Sequence, residues 1–250
     1  MSFSNPTITN PAKKFFKWKG GPGEIVWYDR DNEKELKVSL INDDGTYVKP
    51  FRFILLDELT TIKGYDDTSE SGIWSNEVRS LKKDVLNVKS KGGDIVSGTY
   101  EVIKDTIKAK GGKFARSLYI AYQEPDGEDS IWEVGNLNLA GGSVGEWFEF
   151  RKKSDLQVEG AVITGIHKVK KKGGIEFFVP VFETWQFKPS DIDAGKELDQ
   201  KVQKYLETYL AGRGEDKWRD QVETQGLDKP EDTVLEDIDD KPIDLSEIPF

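Results

Sequence analysis

The sequence predicts a mainly β protein with added helices, built on a five-stranded barrel with elaborated loops. Short runs of β-branched and aromatic residues recur between Phe15 and Phe187. Glycine-rich turns separate these runs, and only a few segments carry a helical period. No repeat of roughly 20–50 residues indicates a solenoid or a propeller.

Residues 1–12 are polar and read as a flexible arm. Phe51–Leu56 and Ser117–Tyr122 read as strands, being rich in aromatic and aliphatic side chains. Tyr100–Lys110 reads as a helix, with Val102, Ile103, Thr106 and Ile107 on one face, or alternatively as a strand. Ser143-Val-Gly-Glu146 has the form of a capping box, followed by Val144, Trp147 and Phe148 at helical spacing. The clearest strand is Ile175–Phe187, which places Phe178 and Phe182 opposite Phe177, Val179, Val181 and Trp185. It pairs with Gly160–Val169 through the turn at 170–174. Pro180 removes one ladder donor, which puts this strand at an edge or at a bulge. A last helix is predicted from Ser190 as its cap, with Leu198, Val202, Tyr205, Leu206, Tyr209 and Leu210 in one stripe, ending at Gly212-Arg213-Gly214. The organisation expected is therefore an arm (1–12), a β domain (13–189), a helical extension (190–225) and an acidic tail (226–250). Among small β architectures with such turns, the oligonucleotide-binding (OB) barrel fits best.

Composition narrows the chemistry. The chain has 250 residues, 36% hydrophobic, with Trp 7, Tyr 8 and Phe 13, enough for a sizeable core. It holds no cysteine and a single histidine, His167, which leaves no thiolate site and no material for a Ser-His-Asp triad. Asp43-Asp44 and Asp66-Asp67 sit beside Gly45 and Gly64, where turn formation accounts for them. The expectation is a non-enzyme with no cofactor and no metal. No apolar run is long enough to span a membrane, and the polar start lacks a signal-peptide pattern, so a cytoplasmic protein is expected. The net charge of −10 is unevenly placed. Asp191–Phe250 holds 8 Lys+Arg against 18 Asp+Glu, and Met1–Ser190 holds 28 against 28. A neutral body thus carries an acidic interaction tail.

Two patterns in the body suit a polyanion. Lys-Gly-Gly occurs four times, beginning at Lys19, Lys91, Lys110 and Lys172. Such turns place lysines on loop tips that line a groove, or they are simply soluble hairpin turns. Basic residues also interleave with rings: Lys13–Lys19 around Phe15, Phe16 and Trp18, then Trp74 to Lys91, then Lys113 to Tyr122. Cations neutralise phosphates and rings stack on unpaired bases. The candidate DNA-binding set is Lys17, Trp18, Lys19, Trp74, Arg79, Lys82, Lys83, Lys89, Lys91, Lys110, Lys113, Arg116, Tyr119 and Lys172, with Trp18, Trp74 and Tyr119 as stacking platforms. The competing reading of each ring is that it belongs to the core.

The ending Asp239-Asp240-Lys-Pro-Ile-Asp244-Leu-Ser-Glu247-Ile248-Pro249-Phe250 resembles the acidic tip of bacterial single-stranded DNA-binding proteins, which finish in aspartates followed by Ile-Pro-Phe. Here the acids are spaced out by Lys241, Pro242 and Leu245. In the body, Trp74-Ser-Asn-Glu-Val78, Gly98-Thr-Tyr-Glu101, Gly111-Gly-Lys-Phe114, Ser117-Leu-Tyr-Ile-Ala121 and Gly145-Glu-Trp-Phe148 resemble phage-encoded single-stranded DNA-binding proteins of the larger barrel type. The resemblance implies sequence-independent binding and protection of single-stranded DNA during replication, recombination and repair, in the host cytoplasm. It further implies that Asp239, Asp240, Asp244, Glu247, Ile248, Pro249 and Phe250 recruit replication or recombination proteins. The alternative is a non-catalytic β-rich interaction or virion accessory module whose acidic tail solubilises it. Monomer and dimer both stay open.

Overall fold

A computed structural model of the chain describes residues 9–123, 131–170, 174 and 176–211. Among these residues it has eleven strands in one open mixed sheet and three helices. The class is mainly β with added helices, as the sequence predicts. Closure into five strands is not what the pairing gives: the main path runs β3-β2-β1-β9-β8-β4-β5-β6-β7, and β10 and β11 branch from β4.

The first three strands, β1 (Lys14–Lys19), β2 (Glu24–Asp29) and β3 (Lys34–Lys37), form a meander. The spine is β4 (Thr46–Asp66), 21 residues long. Strands of this length stay in one sheet only by bending. A bulge between Leu55 and Asp57 marks the bend, and β4 changes partner along its length. Its first part pairs with β10 (Glu159–Lys170), its middle with β8 (Gly112–Tyr122), its end with β5 (Ser71–Ser75). From β5 the chain passes through β6 (Leu86–Ser90), β7 (Gly93–Gly98) and α1 (Tyr100–Ala109) before entering β8. This insert has its own core of Ile62, Ile73, Leu86, Val88, Ile103 and Ile107. Burial of Ile103 and Ile107 four residues apart settles this segment as a helix.

β8 pairs with β9 (Glu133–Ala140), and β9 lies parallel to β1. After β9 comes α2 (Gly142–Lys153), whose Trp147 is fully buried in the main core beside Phe53 and Phe182. The expected capping box is not formed. Gly141, at φ 65°, is the cap, and the Ser143 hydroxyl instead exchanges hydrogen bonds with the backbone of Ala140. β10 and β11 (Glu176–Gln186) form the predicted hairpin, with β10 as the sole partner of β11 among the described strands. Pro180 therefore lies on an edge strand, opposite Ile166 and next to the bulge between Ile163 and Gly165. Phe178 and Phe182 join the main core, while Trp185 and Phe187 pack toward the last helix. The hairpin reaches back to the first turn: Phe178 N–H donates to Gly20 O at 2.7 Å, and Trp18 Nε1 donates to Phe178 O at 3.2 Å.

The last helix, α3 (Pro189–Ala211), opens on proline rather than on a Ser190 cap. Proline suits a first turn because its missing N–H would be unpaired there. The carboxylate of Asp191 accepts the Lys188 N–H at 2.8 Å and the Trp132 indole N–H at 3.3 Å. Leu198, Val202, Tyr205 and Leu206 are the buried stripe, seated on Ile54, Leu59, Tyr119, Ala121 and Val134. No helix among the described residues is long and apolar enough to cross a membrane.

Candidate nucleic-acid interface

Alternation along β8 sends Leu118, Ile120 and Tyr122 into the main core and Lys113, Ala115, Ser117 and Tyr119 to the opposite, outer face. Directly opposed residues share a face. Lys113 opposes Lys63, Lys63 opposes Trp74, and Trp74 opposes Lys89. One cross-strand row over β8, β4, β5 and β6 therefore carries three lysines and a tryptophan. A second row runs Lys17, Asn138, Ser117, Leu59 over β1, β9, β8 and β4. The rows are electrostatically linked: burial pushes the Lys63 amine down, Glu77 opposes that push and Lys17 adds to it. The opposed pair Lys113 and Lys63 places two cationic side chains side by side on this face.

Beneath the lysines lies a buried polar chain. Glu77, in the loop after β5, is 3% exposed. Its carboxylate accepts the Ser117 hydroxyl and, at 2.8 Å, the Tyr119 hydroxyl. Asn136 Nδ2 donates to Ser117 Oγ at 2.7 Å, and Asn138 Nδ2 donates to Asn136 Oδ1 at 2.7 Å. The Glu77 backbone N–H donates to the Tyr209 hydroxyl of α3 at 2.9 Å. Burial pushes the Glu77 carboxyl up, and the bonds from Ser117 and Tyr119 and the charge of Lys63 oppose that push. Burial pushes the half-buried Lys63 down to about 8, with Glu77 pulling it back up. The site thus holds a lysine whose amine is kept below its ordinary value by burial.

The predicted residues separate into three groups. Lys17, Lys89 and Lys113 lie in the two rows, together with Trp74. Lys83, Lys91 and Lys110 are exposed on loops. Lys19 is held by Glu35 at 2.5 Å, and Lys89 lies 3.4 Å from Asp94. Arg79, Lys82 and Arg116 belong to a different place, a cleft beside the β4 bulge. The stacking platforms need correction. Trp18, Trp74 and Tyr119 are 7%, 6% and 1% exposed, so none turns a ring face to solvent. Trp18 falls on the inward phase of β1, and α3 covers Tyr119, whose ring lies 6.2 Å from that of Tyr205. The loop triplets also have a structural role. Three triplets hold a left-handed glycine, Gly93, Gly111 and Gly174, whereas beside the first triplet it is Gly23; Gly111 packs against the Tyr65 carbonyl with no room for a side chain. Asp44 and Asp66 accept hydrogen bonds from Thr46, Thr68 and Ser69, as turn formers do. His167 lies on β10, exposed.

Sequence reasoning missed Lys63, Glu77, Asn136 and Asn138. A lysine inside the run Leu59–Tyr65 was the available signal for Lys63. Lys172 and the tip residues Asp239, Asp240, Asp244, Glu247, Ile248, Pro249 and Phe250 lie outside the described residues. No family model, curated protein or solved structure matches this chain.

Proposed function

We propose that the protein binds single-stranded DNA without sequence preference, along the outer face of β8 and β9, and recruits replication or recombination proteins through its carboxy-terminal tip. The observation that carries this reading is the opposed pair Lys113 and Lys63, extended by Lys17 and Lys89 on the same face. A cationic strip across strands follows a phosphate backbone without reading bases.

The strand order supports the reading. β1, β9, β8, β4 and β10 are neighbours in that order, with one parallel junction and α2 bridging β9 to β10. We read these five strands as an OB-type barrel whose last strand has been moved to the front of the chain, with β2, β3, β5–β7 and β11 as additions. In such barrels the second and third strands form the binding face. In this order those strands are β8 and β9, which carry Lys113 and the amide chain, with Lys63 and Lys17 on the flanking strands β4 and β1. The Ile-Pro-Phe ending and the acidic tail support the recruitment half.

Anisotropy of labelled oligo(dT) against a duplex of equal length tests the proposal. The single strand is expected to bind and the duplex to bind less. Affinity falls with salt at a log–log slope of about −0.7 per neutralised phosphate. An absence of retention at low salt, or retention indifferent to salt, overturns it.

A further inference from the structure

The cleft beside the β4 bulge takes no part in the interface above. Its volume is about 490 Å³, inside the roughly 300–1,000 Å³ range of small-ligand sites. It lies between the bulge, the loop at 79–82 and the end of α2. Four cations (Arg79, Lys82, Arg116, Arg151) and two carboxylates (Asp57, Glu58) line it, a formal excess of two positive charges.

Both carboxylates are already counted in that sum and both are engaged. Asp57 is engaged by both Arg79 amino groups, at 3.0 and 2.7 Å, and by Gln203 Nε2 of α3 at 2.9 Å. Glu58 Oε2 accepts the Trp147 indole N–H at 2.8 Å. Arg116 Nη1 and Arg151 Nε stand 3.7 and 3.8 Å from the Glu58 carboxylate, beyond hydrogen-bond reach. Two guanidinium groups thus share the single charge of Glu58, which also accepts the indole N–H.

Arg116 is 4% exposed. Its Nη1 donates to Thr60 Oγ1 at 2.8 Å, and its Nε–H has no partner. The rings of Phe148 and Phe114 lie 4.9 and 5.5 Å from its Cζ and hold the guanidinium in place. A buried charged donor left unsatisfied is expensive. Burial pushes its proton affinity down, Glu58 opposes and Arg151 adds repulsion. Leu55, Leu81 and Leu156 supply an apolar wall. An anion small enough to reach both guanidinium groups would satisfy them.

We propose that this cleft binds a phosphate monoester, with Arg116 and Arg151 on its oxygens, Lys82 at the rim and the attached nucleoside against the leucine wall. Arginine forks match phosphate geometry in paired hydrogen bonds. The same chemistry is offered by a free nucleotide and by the 5′-phosphate of a DNA strand. The site is separate from the outer face of β8 and β9 and stands without it.

Calorimetry with dTMP, thymidine and inorganic phosphate on the full chain tests the site. dTMP and phosphate are expected to bind, and thymidine is not. Arg151→Gln and Lys82→Gln, at half-exposed and exposed positions, each weaken dTMP by about tenfold with the urea midpoint unchanged. Oligo(dT) with a 5′-phosphate or a 5′-hydroxyl distinguishes the sources. Tighter binding of the phosphorylated strand, lost in Arg151→Gln, assigns strand ends; equal binding of the two strands by wild type, alongside dTMP binding, assigns the free nucleotide. Binding of the hydroxyl strand reports the outer face alone. Failure of both dTMP and phosphate to bind at millimolar concentration, or dTMP binding unaltered in both variants, overturns the proposal.

Discussion

The outer face of β8 and β9 is two surfaces on one pair of strands. At one end Tyr119, Ala121 and Val134 meet the apolar stripe of α3 and are sealed. At the other, Lys113 and its cross-strand neighbours Lys63 on β4 and Lys17 on β1 share the face with a chain of amides and hydroxyls that ends on Glu77. The backbone is the same in both halves, and so is its pairing. Side-chain chemistry sets the difference: the apolar half packs under the stripe of α3, while the polar half meets α3 through the Tyr209 hydroxyl on the Glu77 backbone N–H. An apolar strand face gains by being covered, roughly 25 cal/mol per Å², whereas covering lysines would strip their water.

The largest effect is expected where the helix seals the apolar half. Leu206→Ala empties a fully buried site on α3 and should cost about 3 kcal/mol in urea unfolding. Amide protection over 189–211 should fall with it. A cost under about 1 kcal/mol would mean that α3 is not an integral cover.

The next effect is pH-dependent and belongs to the polar half. The folded pKa of Lys63, about 8, lies below its ordinary 10.5. Between those values the folded state binds fewer protons than the unfolded chain, so this lysine's contribution to stability rises with pH across the window. Glu77 has the opposite sign: its raised pKa means a contribution that falls as pH climbs through it. Urea midpoints at pH 8 and pH 10 should therefore rise in wild type relative to Lys63→Met. Strand affinity should decline over the same range as Lys63 loses its charge. Parallel profiles for the two proteins would remove Lys63 from the site.

The smallest effects separate binding from folding. Lys17→Gln and Lys113→Gln should each lower the salt slope of oligo(dT) binding by about 0.7, with stability within about 0.5 kcal/mol. Lys204→Gln, on the exposed side of α3, should change neither. If Lys204→Gln weakens binding as much as Lys17→Gln, the contrast between the two halves fails.

Much of the fold was legible because it is local. The β10–β11 hairpin, the edge position of Pro180 and the stripe of α3 follow from periods of 2 and 3.6 residues read within single segments. The caps were less legible, since Ser143 and Ser190 have capping chemistry but Gly141 and Asp191 do the work. The stacking platforms failed for a related reason. A tryptophan among lysines looks exposed in a linear reading, yet Trp18 is on the inward phase of β1. Lysine spacing predicted cations but not their grouping: Lys17 and Lys113 share a face with Lys63, while Arg79, Lys82 and Arg116 gather at the cleft.

By itself, the sequence determined the β-rich class, the helices α2 and α3, the hairpin, the neutral body and the acidic Ile-Pro-Phe ending, while α1 stayed open between helix and strand. These depend on residue type, order and short-range period, which are properties of the chain before it folds. Tertiary structure decided which lysines stand together, that Glu77 reaches Ser117 and Tyr119 from 40 and 42 residues away, and that Arg116 and Arg151 converge on one carboxylate. Such contacts depend on register across strands and on the bend of β4, where one residue of slip would turn every side chain to the other face.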